Sequence, residues 1–369
     1  MSHLRVCTVE GHNFRNYTTF RIEPHPRFNV ISGRNAQGKS NFIEAVYFAL
    51  RGFSLRAARA DEVVLWGSPG ARILADVEHR GMLTRVLCVQ DEKGKKLSIA
   101  GQRVSQEDFA SCFGAVLFTP DDLLLLKGGP QERRRFLDFE MSAFSPGYSA
   151  ALREYRRALS QRNALLRTVP GDKDSFELWT ERLTALGGEL IMHRLQVLKK
   201  VTPLLEEMLR EWGSGEEVSV RYRSAAVLRE LTAAGITEAL REALEQSRSQ
   251  ELKMGQTMVG PHRDDLVVLI NGRDARTFGS QGQQRSIVLA LKLCQAALWK
   301  DLTGETPVVL LDDVFFELDQ SRRRRILERL GDGAQVFVTV GDSEIPAGKE
   351  GKFFRVENGS INLDVGRKS

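Results

Sequence analysis

The sequence predicts an α/β domain that is assembled from both ends of the chain, with a mainly helical domain inserted between them. Three observations in the 369 residues lead to this fold class: a glycine-rich loop near residue 33, an apolar run that ends in two carboxylates at residue 312, and helical periodicity between about 130 and 255. We therefore expect three segments, 1–120, 121–255 and 256–369, of which the first and the last form one domain.

The composition is ordinary for a soluble protein, with 42% hydrophobic and 27% charged residues. No apolar run approaches the ~20 residues of a membrane span, and the first residues lack the apolar core of a signal peptide. The four cysteines are scattered without metal-binding spacing, which predicts free thiols in a reducing compartment. We expect a cytoplasmic protein with no membrane partner.

The glycine-rich loop matches the phosphate-binding pattern, in which two glycines bracket four residues and Lys-Ser follows. It consists of Gly33, Arg34, Asn35, Ala36, Gln37, Gly38, Lys39 and Ser40. Glycine lets the backbone approach a phosphate, Lys39 can reach the β- and γ-phosphates, and Ser40 can ligate Mg²⁺. An apolar strand at 28–31 precedes the loop and helical spacing follows it. The loop therefore predicts a site for a nucleoside triphosphate with Mg²⁺.

The apolar run at 308–311 ends in Asp312 and Asp313, and it is typical of a strand buried on both faces of a parallel sheet. Ligands bind at the carboxyl ends of such strands, so Asp312 can hold Mg²⁺ and Asp313 can orient an attacking water. By itself the pattern fits a buried strand and a polar loop equally well. Asp312 lies 273 residues after Lys39, and both must meet at one nucleotide, so the domain uses both chain ends.

The inserted segment carries two apolar stripes at helical spacing. The first runs over 152–166 and the second over 179–201, and the residues Pro170-Gly171-Asp172 between them favour a turn. These features predict a short antiparallel helical hairpin.

A third motif precedes an apolar helix at about 287–298. Ser280, Gly282 and Gln283 would place a hydroxyl and backbone N–H groups at the positive end of that helix, which is a second anion site. One nucleotide does not need two such sites in one chain. We therefore expect this motif to contact a nucleotide bound to another copy.

Five stretches together resemble the ABC-type ATPases with split heads, the relatives of the SMC proteins, and within them the RecF family of bacterial recombinational repair. The stretches are 13–17, 33–45, 259–265, 280–285 and 311–319. The resemblance implies a split ABC-type P-loop ATPase head built from both chain ends, with a short antiparallel helical hairpin inserted. It implies ATP and Mg²⁺ as cofactors and an ATP-dependent homodimer.

The resemblance also implies roles for single residues. Lys39 and Asp313 would be catalytic, Ser40 and Asp312 would be linked to the metal, and the motif at 280–283 would act in trans as a signature. Asp319 would lie in a loop that faces the partner copy. Arg15 would lie near the base and Arg56 near the phosphates, although surface arginines without such roles fit these two positions at least as well.

The same resemblance implies recombinational DNA repair at gaps and junctions, in which the chain helps to load RecA with RecR and RecO. The net charge of +5 lies outside 121–255, since basic and acidic residues are equal in number there. Arg322–Arg325 could contact DNA phosphates, but a solvated or salt-bridged helix surface is the more ordinary interpretation. Any DNA binding is expected to be directed at the backbone of duplex, gapped or junction DNA.

Three departures from the usual ABC-type head predict slow, switch-like ATP hydrolysis. At the entry to the insertion, Thr119-Pro120-Asp121-Asp122 replaces a glutamine, so an aspartate would do its work. No histidine follows the predicted strand at 335–340, and Asp313 is shorter than the usual glutamate.

Three other functions remain open. A transporter ATPase subunit would have its lysine and acid much closer in sequence, and another SMC-like DNA ATPase would have a far longer coiled coil. A small-molecule kinase would not need the motif at 280–285.

Overall fold

The computed structural model describes residues 3–168, 173–213, 215–314, 325, 333–341 and 350–364. The chain divides into two compact units, one formed by Met1–Asp122 with Lys292–Ser369 and the other by Leu123–Leu291. The first unit thus joins both chain ends, which the separation of Lys39 from Asp312 predicts.

The described strands and helices are numbered in chain order. The strands are β1 (Arg5–Phe14), β2 (Tyr17–Ile22), β3 (Phe28–Ser32), β4 (Gly70–His79), β5 (Met82–Asp91), β6 (Gly94–Ile99), β7 (Gln102–Arg103), β8 (Ala115–Phe118), β9 (Val218–Arg223), β10 (Asp265–Ile270), β11 (Arg273–Asp274), β12 (Val308–Leu311), β13 (Val336–Val340), β14 (Lys352–Glu357) and β15 (Ser360–Leu363). The helices are α1 (Lys39–Arg51), α2 (Gln106–Cys112), α3 (Leu124–Lys127), α4 (Pro130–Phe144), α5 (Pro146–Arg167), α6 (Lys173–Glu211), α7 (Ala233–Met254), α8 (Ala275–Phe278) and α9 (Gln281–Thr303).

A mainly parallel sheet lies in the first unit, with its described strands in the order β15-β14-β3-β13-β12-β8. All neighbours from β14 to β8 are parallel, and only β15 is antiparallel. Every residue of β3, β8, β12 and β13 is buried, which explains why these strands are apolar except at Asn29, Ser32 and Thr339. The prediction of a buried strand at 308–311 is confirmed. Because β13 alone separates β3 from β12, the loops after β3 and β12 leave the same edge close together.

An antiparallel sheet with the order β2-β1-β4-β5-β6-β7 completes the first unit among the described strands. The strands expected at 72–78 and 83–89 lie inside β4 and β5, which pair along their whole length. Helix α1 packs into the common core through Phe42, Val46 and Leu50, which are buried together with residues of both sheets.

In the second unit α5 and α6 form the predicted antiparallel hairpin. Arg194 donates to the Tyr148 hydroxyl near one end of the pair, and Arg162 donates to the Thr180 hydroxyl near the other. A buried cluster that includes Leu152, Leu183 and Leu190 lies between the helices. The turn predicted at 170–172 lies outside the described residues.

The second unit extends further along the chain than the predicted insertion. Residues 256–291, which we expected in the C-terminal part of the head, belong to this unit. The reason is that β10 pairs antiparallel with β9 from Asp265 to Ile270, so both strands form one sheet with β11. Strand character alone did not show which sheet β10 would join.

None of the helices in the described ranges is long and apolar enough to cross a membrane.

Candidate nucleotide site

The loop at 33–40 needs glycine at both ends for reasons of backbone geometry and space. Gly33 and Gly38 have φ of 147° and 118°, conformations that other residues rarely adopt. A Cβ at Gly33 would collide with the Val356 carbonyl oxygen, and one at Gly38 would lie 2.5 Å from Asn16 Nδ2. Ala36 also has a positive φ, of 63°. The loop is therefore a preformed, tightly turned backbone.

The Lys39 side chain turns back along the loop at the start of α1. It is only 5% exposed, and its Nζ donates to the carbonyl oxygens of Gly33 at 2.7 Å and Arg34 at 3.2 Å. A phosphate held in the loop would meet this ammonium group and the first N–H groups of α1.

Ser40 and Asp312 meet although 272 residues separate them in the chain. Ser40 Oγ donates to Asp312 Oδ1 at 2.9 Å. Asp312 follows β12 directly, and Ser40 lies in the first turn of α1 after β3, so the order of the parallel strands produces this contact. The two oxygen groups are of the kind that Mg²⁺ prefers, so the pair fits the predicted metal site.

Asp312 is a buried carboxyl, 3% exposed, that is held from two sides. Thr339 Oγ1, at the end of β13, donates to Asp312 Oδ1 at 3.0 Å. Burial raises the pKa of Asp312 above its ordinary value, the hydrogen bonds from Ser40 and Thr339 lower it, and the charge of Asp313 raises it. A divalent cation at this position would favour the ionised form.

Asp313 differs from Asp312 in exposure and backbone conformation. It is exposed, and its φ of 52° places it in the left-handed region. Its N–H donates to Thr339 Oγ1 at 2.8 Å. Thr339 therefore orients both carboxylate residues. The role of Thr339 was not predictable from the sequence, in which it is a threonine near the end of a buried strand.

The turn between β1 and β2 holds the loop from the outside. Asn16 Nδ2 donates to the Gln37 carbonyl at 3.0 Å, and Asn41 Nδ2 donates to Asn16 Oδ1 at 2.8 Å. The Tyr17 hydroxyl donates to the Gly38 carbonyl at 3.0 Å, and burial raises the pKa of this phenol, so it keeps its proton. The motif at 13–17 thus positions the loop, a role that the sequence did not reveal.

Arg15 and Arg56 converge on one buried carboxylate, that of Glu44 on α1. Arg15 binds it through two hydrogen bonds, Nε to Oε2 at 3.0 Å and Nη2 to Oε1 at 2.6 Å. Arg56 Nη1 lies 3.3 Å from Glu44 Oε2 and also donates to Asn41. The contacts fix both arginines beside α1, and their expected proximity to base and phosphates stays a prediction.

The segment at 119–122, where we expected an aspartate in place of a glutamine, contains two carboxylates in different environments. Asp122 accepts the Thr119 N–H at 2.6 Å and lies 3.3 Å from the Nζ of buried Lys292. Asp121 is exposed. Because Asp122 is engaged in local structure, Asp121 is the better candidate for contact with water or metal.

The motif at 280–283 lies in the other compact unit and caps α9. The Ser280 N–H donates to Gln283 Oε1 at 2.7 Å, and the Gln283 N–H donates to Ser280 Oγ at 3.2 Å, which is a reciprocal capping box. Ser280 and Gly282 are exposed, and a Cβ at Gly282 would meet no described atom within 4 Å. Gly282 is thus not required by packing within the described chain.

The stretch at 259–265 is held by a buried arginine network in the same unit. Arg194 donates to the Pro261 carbonyl at 2.8 Å and to Asp138 at 2.6 Å, and the Tyr222 hydroxyl donates to Asp264 at 2.7 Å. Buried Arg133 pairs with Asp265 through two hydrogen bonds. Arg133 is therefore structural.

Several predicted residues lie outside the described ranges. They are Phe315–Asp319, Arg322–Arg324 and Asp342.

Comparison with known proteins matches this chain along almost its whole length. The family model described as RecF/RecN/SMC N terminal domain matches residues 5–357. The DNA replication and repair protein RecF of Desulforudis audaxviator is 47% identical over 360 residues, which cover 97% of this chain and 99% of the relative. The chain belongs to the RecF family.

Solved structures of the RecF family share the fold. The recombination mediator protein RecF of the RecFOR pathway, in its RecF-ATPrS structure, matches with a TM-score of 0.91 at 32% identity over 99% of both chains. The RecF-ATP structure matches with a TM-score of 0.90 at 33% identity over 98% of both chains. The predicted α/β fold with a split ABC-type head and a helical insertion is confirmed.

Proposed function

We propose that this chain is an ATP-controlled DNA-binding protein of recombinational repair, which dimerises when it binds ATP and Mg²⁺ and separates after slow hydrolysis. The hydrogen bond between Ser40 and Asp312 is the observation that carries the proposal. It joins a phosphate-loop hydroxyl to a strand-end carboxylate, the combination that holds the metal of a nucleotide in P-loop proteins. The solved RecF relatives with ATP and ATPrS support the same ligand.

In this proposal the loop residues bind and orient the triphosphate. The N–H groups of 33–38 surround the phosphates, Lys39 moves from the loop carbonyls to the β- and γ-phosphates, and Ser40 with Asp312 would hold Mg²⁺. The metal would neutralise phosphate charge. Asp313, which is exposed and oriented by Thr339, would hold the attacking water by accepting a hydrogen bond from it.

The proposed homodimer places the motif at 280–283 of one copy on the nucleotide of the other. Ser280 and Gly282 are exposed at the N-terminus of the 23-residue helix α9, where the helix dipole favours an anion. The open space at Gly282 suits close approach by a second molecule. Two equivalent sites would then form around a twofold axis.

The proposed DNA binding is directed at the phosphate backbone. The pI near 9 and the net charge of +5 favour a polyanion, and membership of a family of DNA replication and repair proteins supports DNA. From the family resemblance, the substrates are gapped and junction duplexes, and RecR and RecO are the partners with which the protein helps to load RecA.

Nucleotide binding is tested with Lys39→Met. We expect loss of ATP binding in isothermal titration calorimetry, because the ammonium group is the main charge in the loop. Lys93→Met, which changes an exposed lysine of the β5–β6 turn, is the matched control. Undiminished ATP binding by Lys39→Met would contradict the proposed site.

The trans role of the signature is tested with Ser280→Arg in sedimentation velocity with ATP. We expect a monomer that still binds ATP, whereas Ser249→Arg, an exposed position on α7, should dimerise like the wild type. Equal association of wild type and Ser280→Arg would refute the trans contact.

The DNA-binding proposal is tested with a salt-titrated binding assay on duplex, single-stranded and gapped DNA, with and without ATP. Backbone contacts predict steep salt dependence, and the dimer model predicts tighter binding with ATP. Binding that does not respond to ATP would contradict the switch.

A further inference from the structure

A pocket of about 540 Å³ lies in the first unit, between the segment at 59–69 and the turn between β5 and β6. We call it the Trp66 pocket. Its lining includes Arg15, Asp61, Glu62, Trp66, Gln90 and Glu92. The mechanism proposed above uses none of these residues, although the family resemblance implies a place near the base for Arg15.

Trp66 stands at the rim of this pocket and is 99% exposed, the most exposed of the large apolar side chains described. It occupies a turn in which the Ser68 N–H donates to the Leu65 carbonyl at 2.9 Å, and Gly67 supplies the positive φ of 81°. The Leu65 N–H in turn donates to the Asn13 carbonyl at 2.8 Å. The turn thus fixes the backbone at a large aromatic side chain that lies in water, and tryptophan is enriched at protein interfaces.

Gln90 supplies a second, independent observation at the pocket wall. Its side chain is only 5% exposed, and its Nε2 donates to the Asp91 carbonyl at 3.2 Å. Its Oε1 accepts no hydrogen bond from any described residue. A buried amide oxygen without a donor is uncommon, and a donor that enters the pocket would satisfy it.

The lining of the pocket contains more acidic than basic side chains. Four carboxylates (Asp61, Glu62, Asp91 and Glu92) line the pocket with two arginines (Arg15 and Arg59). Arg15 pairs with Glu44, Arg59 with Asp61, and Asp91 with Lys96, so Glu62 and Glu92 are the carboxylates of the lining that lie outside the described ion pairs. Glu92 is exposed. The pocket therefore has a net negative lining, which repels phosphate groups and attracts a cation.

We propose that the Trp66 pocket docks an arginine side chain presented by a basic segment of a partner protein. A guanidinium group can stack on the Trp66 ring and face the carboxylates at the same time, because its donors lie in one plane, and it can donate to Gln90 Oε1 when that buried side chain turns toward the pocket. A lysine ammonium group offers a compact charge with less area for stacking. This proposal is independent of the ATP switch.

The test follows the backbone amide signals of Gly67 and Glu92 by NMR in the full chain. The probe is a capped Gly-Gly-Arg-Gly-Gly peptide, and the control peptide carries citrulline, a neutral isostere of arginine. We expect a saturable shift with arginine and binding about 5-fold weaker or more with citrulline, because the charge is lost.

Variants locate the contact. Trp66→Ala and Glu92→Lys should each weaken the arginine peptide about 5-fold, since they remove the ring or reverse a charge. Two controls outside the pocket, Met82→Ala at an exposed apolar position and Glu23→Lys at an exposed acidic one, should leave affinity unchanged.

Four results would overturn the proposal. They are unmoved signals at millimolar arginine peptide, equal binding of the citrulline peptide, an undiminished response in Trp66→Ala, and displacement of the peptide by ATP or by a duplex oligonucleotide. Displacement by ATP would show that the pocket belongs to the nucleotide site.

Discussion

Replacement of Gly282 by leucine should affect the stability of the single chain and its ATP-dependent dimerisation in different ways. Gly282 is the second residue of α9, it is exposed, and a Cβ there would meet no described atom within 4 Å. No positive φ is found at this residue. A side chain at 282 can therefore project into solvent in the monomer.

The two expected effects have different sizes. Leucine has a higher helix propensity than glycine by up to about 0.8 kcal/mol, so the free energy of unfolding should stay constant or rise slightly. In the proposed dimer the same side chain would enter a packed contact, at a cost of about 1–3 kcal/mol for each site. Two symmetric sites give about 2–6 kcal/mol, which raises the dimer Kd roughly 30-fold to 20,000-fold.

Sedimentation velocity across a concentration series with ATP measures the dimer, and urea denaturation measures the monomer. Gly147→Leu is the matched control, because Gly147 is likewise the second residue of a helix, α5, is exposed, and a Cβ there would lie 3.8 Å from its nearest described neighbour, Ser145 Oγ. It should leave both measurements unchanged. ATP-dependent dimerisation of Gly282→Leu at the wild-type concentration would refute the trans contact, and a loss of stability above about 1 kcal/mol would refute the open-space argument.

Further predictions concern the loop, the strand-end hydroxyl and a buried histidine. Gly33→Ala should lower the free energy of unfolding by at least about 2 kcal/mol and abolish ATP binding, because alanine is strained at this positive φ and its Cβ would collide with the Val356 carbonyl. Gly215→Ala should keep its stability in denaturation and its ATP binding in calorimetry. Thr339→Val should lower the free energy of unfolding by about 1–3 kcal/mol, because the Asp313 N–H and the Asp312 carboxylate each lose a hydrogen bond. Thr19→Val, at an exposed strand position, should change little in the same denaturation assay. Burial lowers the pKa of His262 to about 4, so the folded state resists its protonation. As the pH falls from about 6.5 to 4, the free energy of unfolding should therefore decrease by roughly 3 kcal/mol. His262→Gln should flatten that part of a pH–stability profile, and an unchanged slope would contradict the assignment.

The buried carboxyl of Asp312 could bind Mg²⁺, but its burial reduces the stability of the fold when the group is ionised. Its raised pKa means that the ionised form is disfavoured by burial, and only the Ser40 and Thr339 hydroxyls offset this locally. As pH rises from the ordinary value for an aspartate through this raised pKa, the group contributes progressively less to stability. A bound divalent cation would reverse that effect, which couples folding of this edge of the sheet to ligand binding.

The elements that depend on local chemistry were predictable from the sequence. The phosphate loop is specified by glycines with positive φ, by Lys39 and by Ser40, all within eight residues. Strand β12 is specified by an apolar run buried on both faces, and the helical hairpin by its 3.6-residue periodicity. The long separation of Lys39 from Asp312 was enough to predict that both chain ends share one domain.

Contacts between groups far apart in sequence, and the sheet that each strand joins, became known from the folded chain. Thr339 reaches both aspartates, and Asn16 holds the phosphate loop, because β13 and the β1–β2 turn pack beside β3. Strand β10 joins β9 and so moves residues 256–291 into the second unit. Pairing between strands is a choice among partners of similar pattern, and it is settled by packing across the whole chain, which local sequence does not encode.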